Sequence, residues 1–399
     1  MGKWNAFVVS NGCPESLNDG ARVRRYLLQN GWEITHSPSR ADLILFGACG
    51  RSEGQAARSL SAVRWLRRSA PGARLIVWGC LAKIDPERIG ALHDGPSFGE
   101  GEMESLDNLL SSSTPIDQVN ANDLLPSFRR CSGATGALHR FLAATVARPL
   151  RRLQLRSNVT YHTNGAAWYI KVCTGCLGRC AYCAIRLARG TLRSKSVDDV
   201  LAEFRRGLQL GATEFVLLGT DVSAYGLDRE ENLADLLGAL AAEPGDFRIS
   251  LRNVQPRHLA PMLGRLRPIL ASGMVRQVEL AVESGSDSVL RRMNRGYTTE
   301  DVRACVHALR WASPGIVVRA QMMVGFPSET WPEFRESIRI LGELRFDWTE
   351  VYRFSPRPGT AAWAMEGRVP GPVAALREGY MRACAAADSL RRRNGRARF

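Results

Sequence analysis

The chain has 399 residues, 45% hydrophobic and 23% charged, an ordinary globular composition with length for two domains and a substantial buried core. No apolar run approaches the roughly 20 residues that cross a bilayer, and the first residues carry no apolar signal region, which argues against membrane insertion and export and for a cytoplasmic protein. The formal charge of +15, from 54 Lys and Arg against 39 Asp and Glu, suits a polyanionic partner such as RNA or, equally, a solvated Arg-rich surface; the densest basic runs are 148–156 and 391–398.

In chain order, short apolar runs alternate with stretches of helical spacing. Residues 6–10 read as a strand and 19–29 as a helix that stops at Gly31. A strand over 43–48, a helix over 55–69 and a strand over 74–79 follow. Asp85 then caps a short helix with Pro86 at its first position. This repetition predicts an open, mostly parallel, Rossmann-like sheet. Residues 103–110 look helical and close the domain; 115–165, rich in Ser, Asn, Thr and Gly, reads as connecting structure.

A second series begins at Ala167, with strands expected at 167–172, 214–218, 247–251, 277–281, 316–324 and 348–353. Helices lie between them, one over 196–209 with Ser196 as its cap. Six such units are too few for a closed eight-stranded barrel and predict a partial (β/α)6 barrel. A long helix over 373–393 and the basic tail end the chain. The expected organisation is therefore a first domain over 1–114, a connector over 115–165, a barrel over 166–370, and a helix and tail over 371–399.

Ten cysteines in a chain without an export signal argue for metal or redox chemistry over structural disulfides. Cys13, Cys49 and Cys80 each follow one of the first three strands. Loops at the C-terminal ends of parallel strands converge on one edge, so the three thiols are expected to meet there. The strongest signal is Cys176-Leu-Gly-Arg-Cys180-Ala-Tyr-Cys183, directly after the first barrel strand. Three thiolates at this spacing can hold three irons of a 4Fe–4S cluster and leave the fourth iron open to a ligand. Zinc is the competing reading, because Cys173 and Cys176 form a further CxxC. Cys173 itself reads best as a buried strand-end cysteine; Cys131, Cys305 and Cys384 have no partner pattern, and none of the six histidines is assigned as a ligand.

A CxxxCxxC on the first loop of a partial barrel resembles the radical S-adenosylmethionine (SAM) superfamily. The stretch CLGRCAYCAIRLARGTLRSK, 176–195, is similar to the methylthiotransferases of tRNA and ribosomal protein within it. Further blocks agree: 218–226, Glu283-Ser284-Gly285-Ser286-Asp287, Met293-Asn294-Arg295-Gly296-Tyr297, 325–330 and 355–360. The likeness covers about 6–390 and is weakest over 115–165. It departs from the family pattern at Gly47-Ala48 before Cys49, at Arg186 after the cluster loop and at Glu283. With the sequence ending at Phe399, the small β-barrel domain that grips substrate in many members is expected to be missing.

The resemblance implies two 4Fe–4S clusters, one on Cys176, Cys180 and Cys183 and one on Cys13, Cys49 and Cys80. The first would bind SAM and generate a 5′-deoxyadenosyl radical. The second would present sulfur to the substrate radical, and a second SAM would methylate that sulfur. An electron donor of flavodoxin or ferredoxin type and a sulfur source are implied partners. The implied substrate is a tRNA adenosine beside the anticodon, with a peptide or specialised metabolite as the alternative. Tyr182 is expected near the SAM adenine, or as a core aromatic. The backbone at Gly219, Thr220 and Asp221 and at Gly325 is expected to let SAM approach, and Glu283 with Ser284, ending the fourth barrel strand, to be a polar functional pair. Arg189 and Arg357 read as loop-fixing salt-bridge partners. Two other readings stay open: a cobalamin-dependent radical SAM methylase, and a non-catalytic binding protein that kept the fold.

Overall fold

The computed structural model describes residues 4–128 and 167–396. Cys131 and the basic run 148–156 lie outside them, as do the side chains from residue 390 onward.

The first sheet is built from near-continuous apolar runs, as parallel strands covered on both faces require. Its strands are β1 (Asn5–Ser10), β2 (Glu33–Ile34), β3 (Leu43–Gly47), β4 (Arg74–Trp78) and β5 (Ser97–Phe98), ordered β2-β1-β3-β4-β5 and all parallel. The strands that end before the three cysteines, β1, β3 and β4, are thus neighbours. Helix α1 (Pro14–Gln29) begins well before the expected residue 19, with Cys13 at its cap and Pro14 in its first turn. The early turn was hidden because Glu15, Ser16, Asn18 and Asp19 are polar yet buried. Helix α2 (Glu53–Ser69) is capped by Ser52, whose hydroxyl accepts from the Gln55 N–H. Cys80 opens a short helix α3 (Cys80–Ile84), not expected from sequence; α4 (Pro86–Gly90) follows. The Asp85 carboxylate makes no cap hydrogen bond and pairs instead with Arg88. Helix α5 (Ser105–Leu110) completes the series.

The first part of the expected connector packs against the first sheet. Ile116, Val119, Ala121, Leu124 and Leu125 are buried in the same apolar cluster as Leu17, Tyr26 and Trp78. Their polar neighbours in sequence concealed this packing.

The second sheet has six parallel strands: β6 (Trp168–Lys171), β9 (Glu214–Leu218), β10 (Arg248–Val254), β11 (Val275–Glu283), β12 (Val317–Val324) and β13 (Trp348–Arg353). Each pairs with the next in sequence, giving an open arc and not a closed barrel. Between β6 and β9, a two-stranded antiparallel clip, β7 (Cys173–Thr174) with β8 (Arg193–Ser194), brackets the cysteine loop and α6 (Ile185–Arg189). Helices α7 (Val197–Gln209), α8 (Leu233–Ala241), α12 (Thr299–Ala312) and α13 (Trp331–Leu344) are among those covering one face, where Leu251, Val278, Leu280, Val318, Ala320 and Val351 join their core. The alternate residues on these strands are polar and pair with one another, as period-2 geometry demands. Arg252 bonds Glu279, Gln321 donates to Glu279, and Arg319 meets Glu350 at 3.0 Å. Helix α14 (Gly371–Arg396) packs on β13 and α13. Tyr169, Val216 and Leu218 reach into the cluster of the first sheet, so one core bridges the two sheets.

Candidate functional site

Six cysteines lie at two groups of loops. Cys13 caps α1, Cys49 follows β3 and Cys80 opens α3, at the C-terminal edge of the first sheet. The Cys49 N–H donates to the Asn11 Oδ1 at 3.0 Å, and its carbonyl accepts from Ser59 Oγ at 2.9 Å, so its backbone is pinned while the thiol is left over. The three thiols are close enough to perturb one another. Burial, with the neighbouring Glu15, pushes Cys13 up to about 12, and burial drives Cys80 well above its ordinary range, beside Glu100.

The second group, Cys176, Cys180 and Cys183, sits on the loop after β7. The Gly178 N–H donates to Cys176 Sγ at 3.1 Å. A Cβ on Gly178 would lie 3.2 Å from Cys176 Sγ and 3.6 Å from Cys180 Sγ, so the glycine leaves free the space between two sulfurs. Burial pushes Cys183 up to about 12. Buried thiols of this kind ionise only against a strong positive charge, which bound iron supplies. Among the described residues no three His, Cys, Asp or Glu side chains converge on one metal ion. An iron–sulfur cubane takes each thiolate on a separate iron, and three cysteines per site are the donors it needs. The donor chemistry and the empty cradle at Gly178 therefore fit a cluster.

Arg295 was missed as a functional residue, although it lies in a block singled out above. Its guanidinium is buried; Nη1 donates to Cys180 Sγ at 3.1 Å and to the Tyr182 hydroxyl at 3.2 Å. Nε donates to the Tyr297 hydroxyl and Nη2 to the Ala281 carbonyl. No sequence pattern marks an arginine that meets a sulfur so far away in the chain. Tyr182 packs edge-on to Phe326 with its hydroxyl turned to Arg295. Glu283 is buried nearby in a left-handed conformation, φ +63°, at a register shift of β11; burial raises its carboxyl against the pull of Arg295.

The other expected contact residues have partners within the protein. Ser284 Oγ lies 3.2 Å from Ser337 Oγ and accepts the Ser286 N–H. A Cβ on Gly219 would come within 2.5 Å of Cys173 Sγ, and Cys173 donates to the Asp221 carbonyl, which matches the strand-end role read for Cys173. The Asp221 carboxylate is bonded by Ser223 and faces His258 Nδ1 at 2.9 Å. Gly325, φ +76°, approaches Ala374 of α14 and donates to Glu329. Thr220 donates to Glu15 of α1 at 3.1 Å, and Asn253 donates to the same carboxylate and to the Gly219 carbonyl. These loops thus tie the barrel to the helix that begins behind Cys13. Of the two arginines read as salt-bridge partners, Arg357 pairs with Glu53 and Arg189 with acids of the first sheet's helix and loops.

An open parallel arc with a three-cysteine loop after its first strand defines the class: this is a radical SAM fold. The description Radical SAM superfamily fits residues 170–341, and residues 5–97 match Uncharacterized protein family UPF0004. The chain is 31% identical to the ribosomal protein uS12 methylthiotransferase RimO of Azorhizobium caulinodans, over 92% of this chain and 77% of that protein. It is 31% identical to the tRNA-2-methylthio-N(6)-dimethylallyladenosine synthase of Pelobacter propionicus, over 89% and 77% respectively. Against a probable threonylcarbamoyladenosine tRNA methylthiotransferase of Pyrococcus horikoshii the identity is 27%, over 92% and 80%. Among solved structures, the radical SAM methyltransferase TsrM of Kitasatospora setae, with cobalamin and a 4Fe–4S cluster bound, superposes with a TM-score of 0.60 at 15% identity, over 90% of this chain and 77% of that one. That likeness is one of fold.

The chain belongs to the radical SAM methylthiotransferases. It is a transferase, and membership implies a 4Fe–4S cluster and SAM.

Proposed function

We propose that this enzyme replaces a substrate C–H by C–S–CH3 using two 4Fe–4S clusters and two molecules of SAM per turnover, on a tRNA adenosine beside the anticodon. The observation that carries the reading is the pair of cysteine triads on loops joined through α1, α3 and α6. Bound clusters and SAM would supply the radical, the sulfur and the methyl group that no side chain here can provide. The chain's part is to hold and orient. Cys176, Cys180 and Cys183 would bind one cluster around the space left by Gly178, with Arg295 fixing Cys180. Cys13, Cys49 and Cys80 would bind the other, with Asn11 and Ser59 fixing Cys49. Tyr182 and Glu283, which meet each other beside Arg295, would contact SAM, and Gly219, Thr220, Asp221, Ser284 and Gly325 would shape the surrounding loops. A flavodoxin- or ferredoxin-type donor and a sulfur source complete the proposed partners.

The named relatives divide between tRNA and a ribosomal protein; two of the three act on tRNA by name, which favours RNA, and the charge of +15 is compatible with it. Mass spectrometry of total tRNA nucleosides from cells with and without the protein tests it. A methylthio-nucleoside should vanish with the gene. If none does, and purified tRNA is not bound at low salt, the substrate is a peptide or metabolite. A corrinoid spectrum in the purified protein would instead support the methylase reading.

A further inference from the structure

Arg189 ends α6, the short helix that follows Cys183, and its guanidinium is buried, 1% exposed. It leaves its own domain. Nη1 lies 2.9 Å from Glu15 Oε2, Nη2 lies 3.7 Å from Asp19 Oδ2, and Nη2 also contacts Glu100 Oε2. Glu15 and Asp19 belong to α1, which starts at Cys13; the Glu100 carboxylate is 3.7 Å from Cys80 Sγ and also accepts from Ser16. Beneath this ion cluster, Ala184, Ile185 and Ala188 pack against Cys80 and Ile84. One short helix therefore connects the two cysteine groups mechanically and carries a positive charge to the second.

A neutral apolar plug could fill this space at less cost, because buried ion clusters seldom stabilise a fold on balance. What an apolar plug could not do is set the field at Cys13, Cys49 and Cys80. In the interior a fixed charge close to a redox group is screened far less than it would be in water. A guanidinium stabilises the added electron of a reduced cluster; the nearby Glu100 opposes it.

We infer that Arg189 is a positioning residue that transmits the placement of the Cys176–Cys180–Cys183 loop to the Cys13–Cys49–Cys80 loops, and that its charge, opposed by Glu100, raises the reduction potential of a cluster held there. The inference rests on the two-cluster reading above.

The test uses the full-length chain with Cys176, Cys180 and Cys183 changed to Ala and reconstituted anaerobically, so that the remaining cluster is titrated potentiometrically by EPR. Arg189→Met should move its midpoint to more negative potential, and Glu100→Gln to more positive. A role confined to packing would change cluster loading and leave both midpoints alone. In the chain with all six cysteines, Arg189→Lys keeps the charge but loses the fork. It should hold the midpoint while raising the ratio of 5′-deoxyadenosine to methylthio product several-fold. Midpoints unchanged from the parent, or shifted in the same direction by both substitutions, overturn the inference. If Arg189→Met takes up no iron, an unshifted Glu100→Gln overturns it alone. A parent that binds no cluster sinks the two-cluster reading, and this inference with it.

Discussion

Cys180 takes a charge-assisted hydrogen bond from Arg295, which is anchored on three further acceptors, so its sulfur has little freedom. Hydrogen bonds to ligand sulfur are among the determinants of cluster potential. Arg295→Met should leave folding intact by circular dichroism yet lower both iron retention and the midpoint of the SAM-binding cluster. Gly178 offers a test by volume. The methyl of Gly178→Ala would press on Cys176 Sγ at 3.2 Å. The expected outcome is loss of up to half of the iron, about four of about eight per chain, with the Cys13 site unaffected. Iron and acid-labile sulfide assays read this directly, and a variant that keeps all of its iron would remove the cradle argument.

At the scale of elements, the turn after β11 is held against α13 by close contact. A Cβ on Gly285 would meet the Glu336 carbonyl and Ser337 Cα at 2.6 Å, both backbone atoms that cannot swing aside. Gly285→Ala should destabilise by about 1–3 kcal/mol, seen as a lower Tm. The start of α13 adds a pH-dependent element. Burial opposes ionisation of Glu333, but hydrogen bonds from Arg292, Ser288 and Thr330 prevail and hold its carboxyl at about 2, below its ordinary 4.5. A depressed folded value contributes stability that is present above the unfolded value and lost as pH falls toward 2. Glu333→Gln should therefore cost on the order of 2 kcal/mol at neutral pH and flatten the acid limb of a denaturation curve between about pH 5 and 2. Strands rich in aromatic and β-branched residues were legible: β9 and β13 fall on the expected residues. The start of α1 was not. Glu15 and Asp19 look like ordinary polar residues in one dimension, and only partners far along the chain explain their burial: Arg189 for both, Thr220 and Asn253 for Glu15, and Lys171 for Asp19. Cys80 as the first residue of α3 and the pairing of Arg295 with Cys180 were hidden for the same reason. The loop cysteines, by contrast, follow from strand position alone.

At the scale of the whole molecule, one bridging core and the Glu15–Thr220–Asn253 contacts join two bodies that a sequence reading separates at residue 114. Joined bodies need not fail together. Cys13→Ala, Cys49→Ala or Cys80→Ala should abolish sulfur insertion yet spare 5′-deoxyadenosine release, because Cys176, Cys180 and Cys183 lie on another loop. Loss of all SAM cleavage in these variants would show that the two sites cannot be separated. The charge of +15 decides a further outcome. Binding carried by phosphate contacts releases counterions, so the log of affinity falls by about 0.9 per neutralised duplex phosphate for each decade of salt. The runs 148–156 and 391–398 hold the densest charge. Deleting residues 391–399 should then lower tRNA affinity at about 50 mM salt and make the slope to about 200 mM shallower at the same time. The two changes must occur together, since a deletion that acted merely by shortening α14, whose last residues it removes, would reduce affinity and leave the slope as it was. Fluorescence anisotropy with labelled tRNA measures both. An affinity that stays level across that range would take RNA out of the reading and leave a peptide, as in the ribosomal-protein relative, as the substrate to pursue.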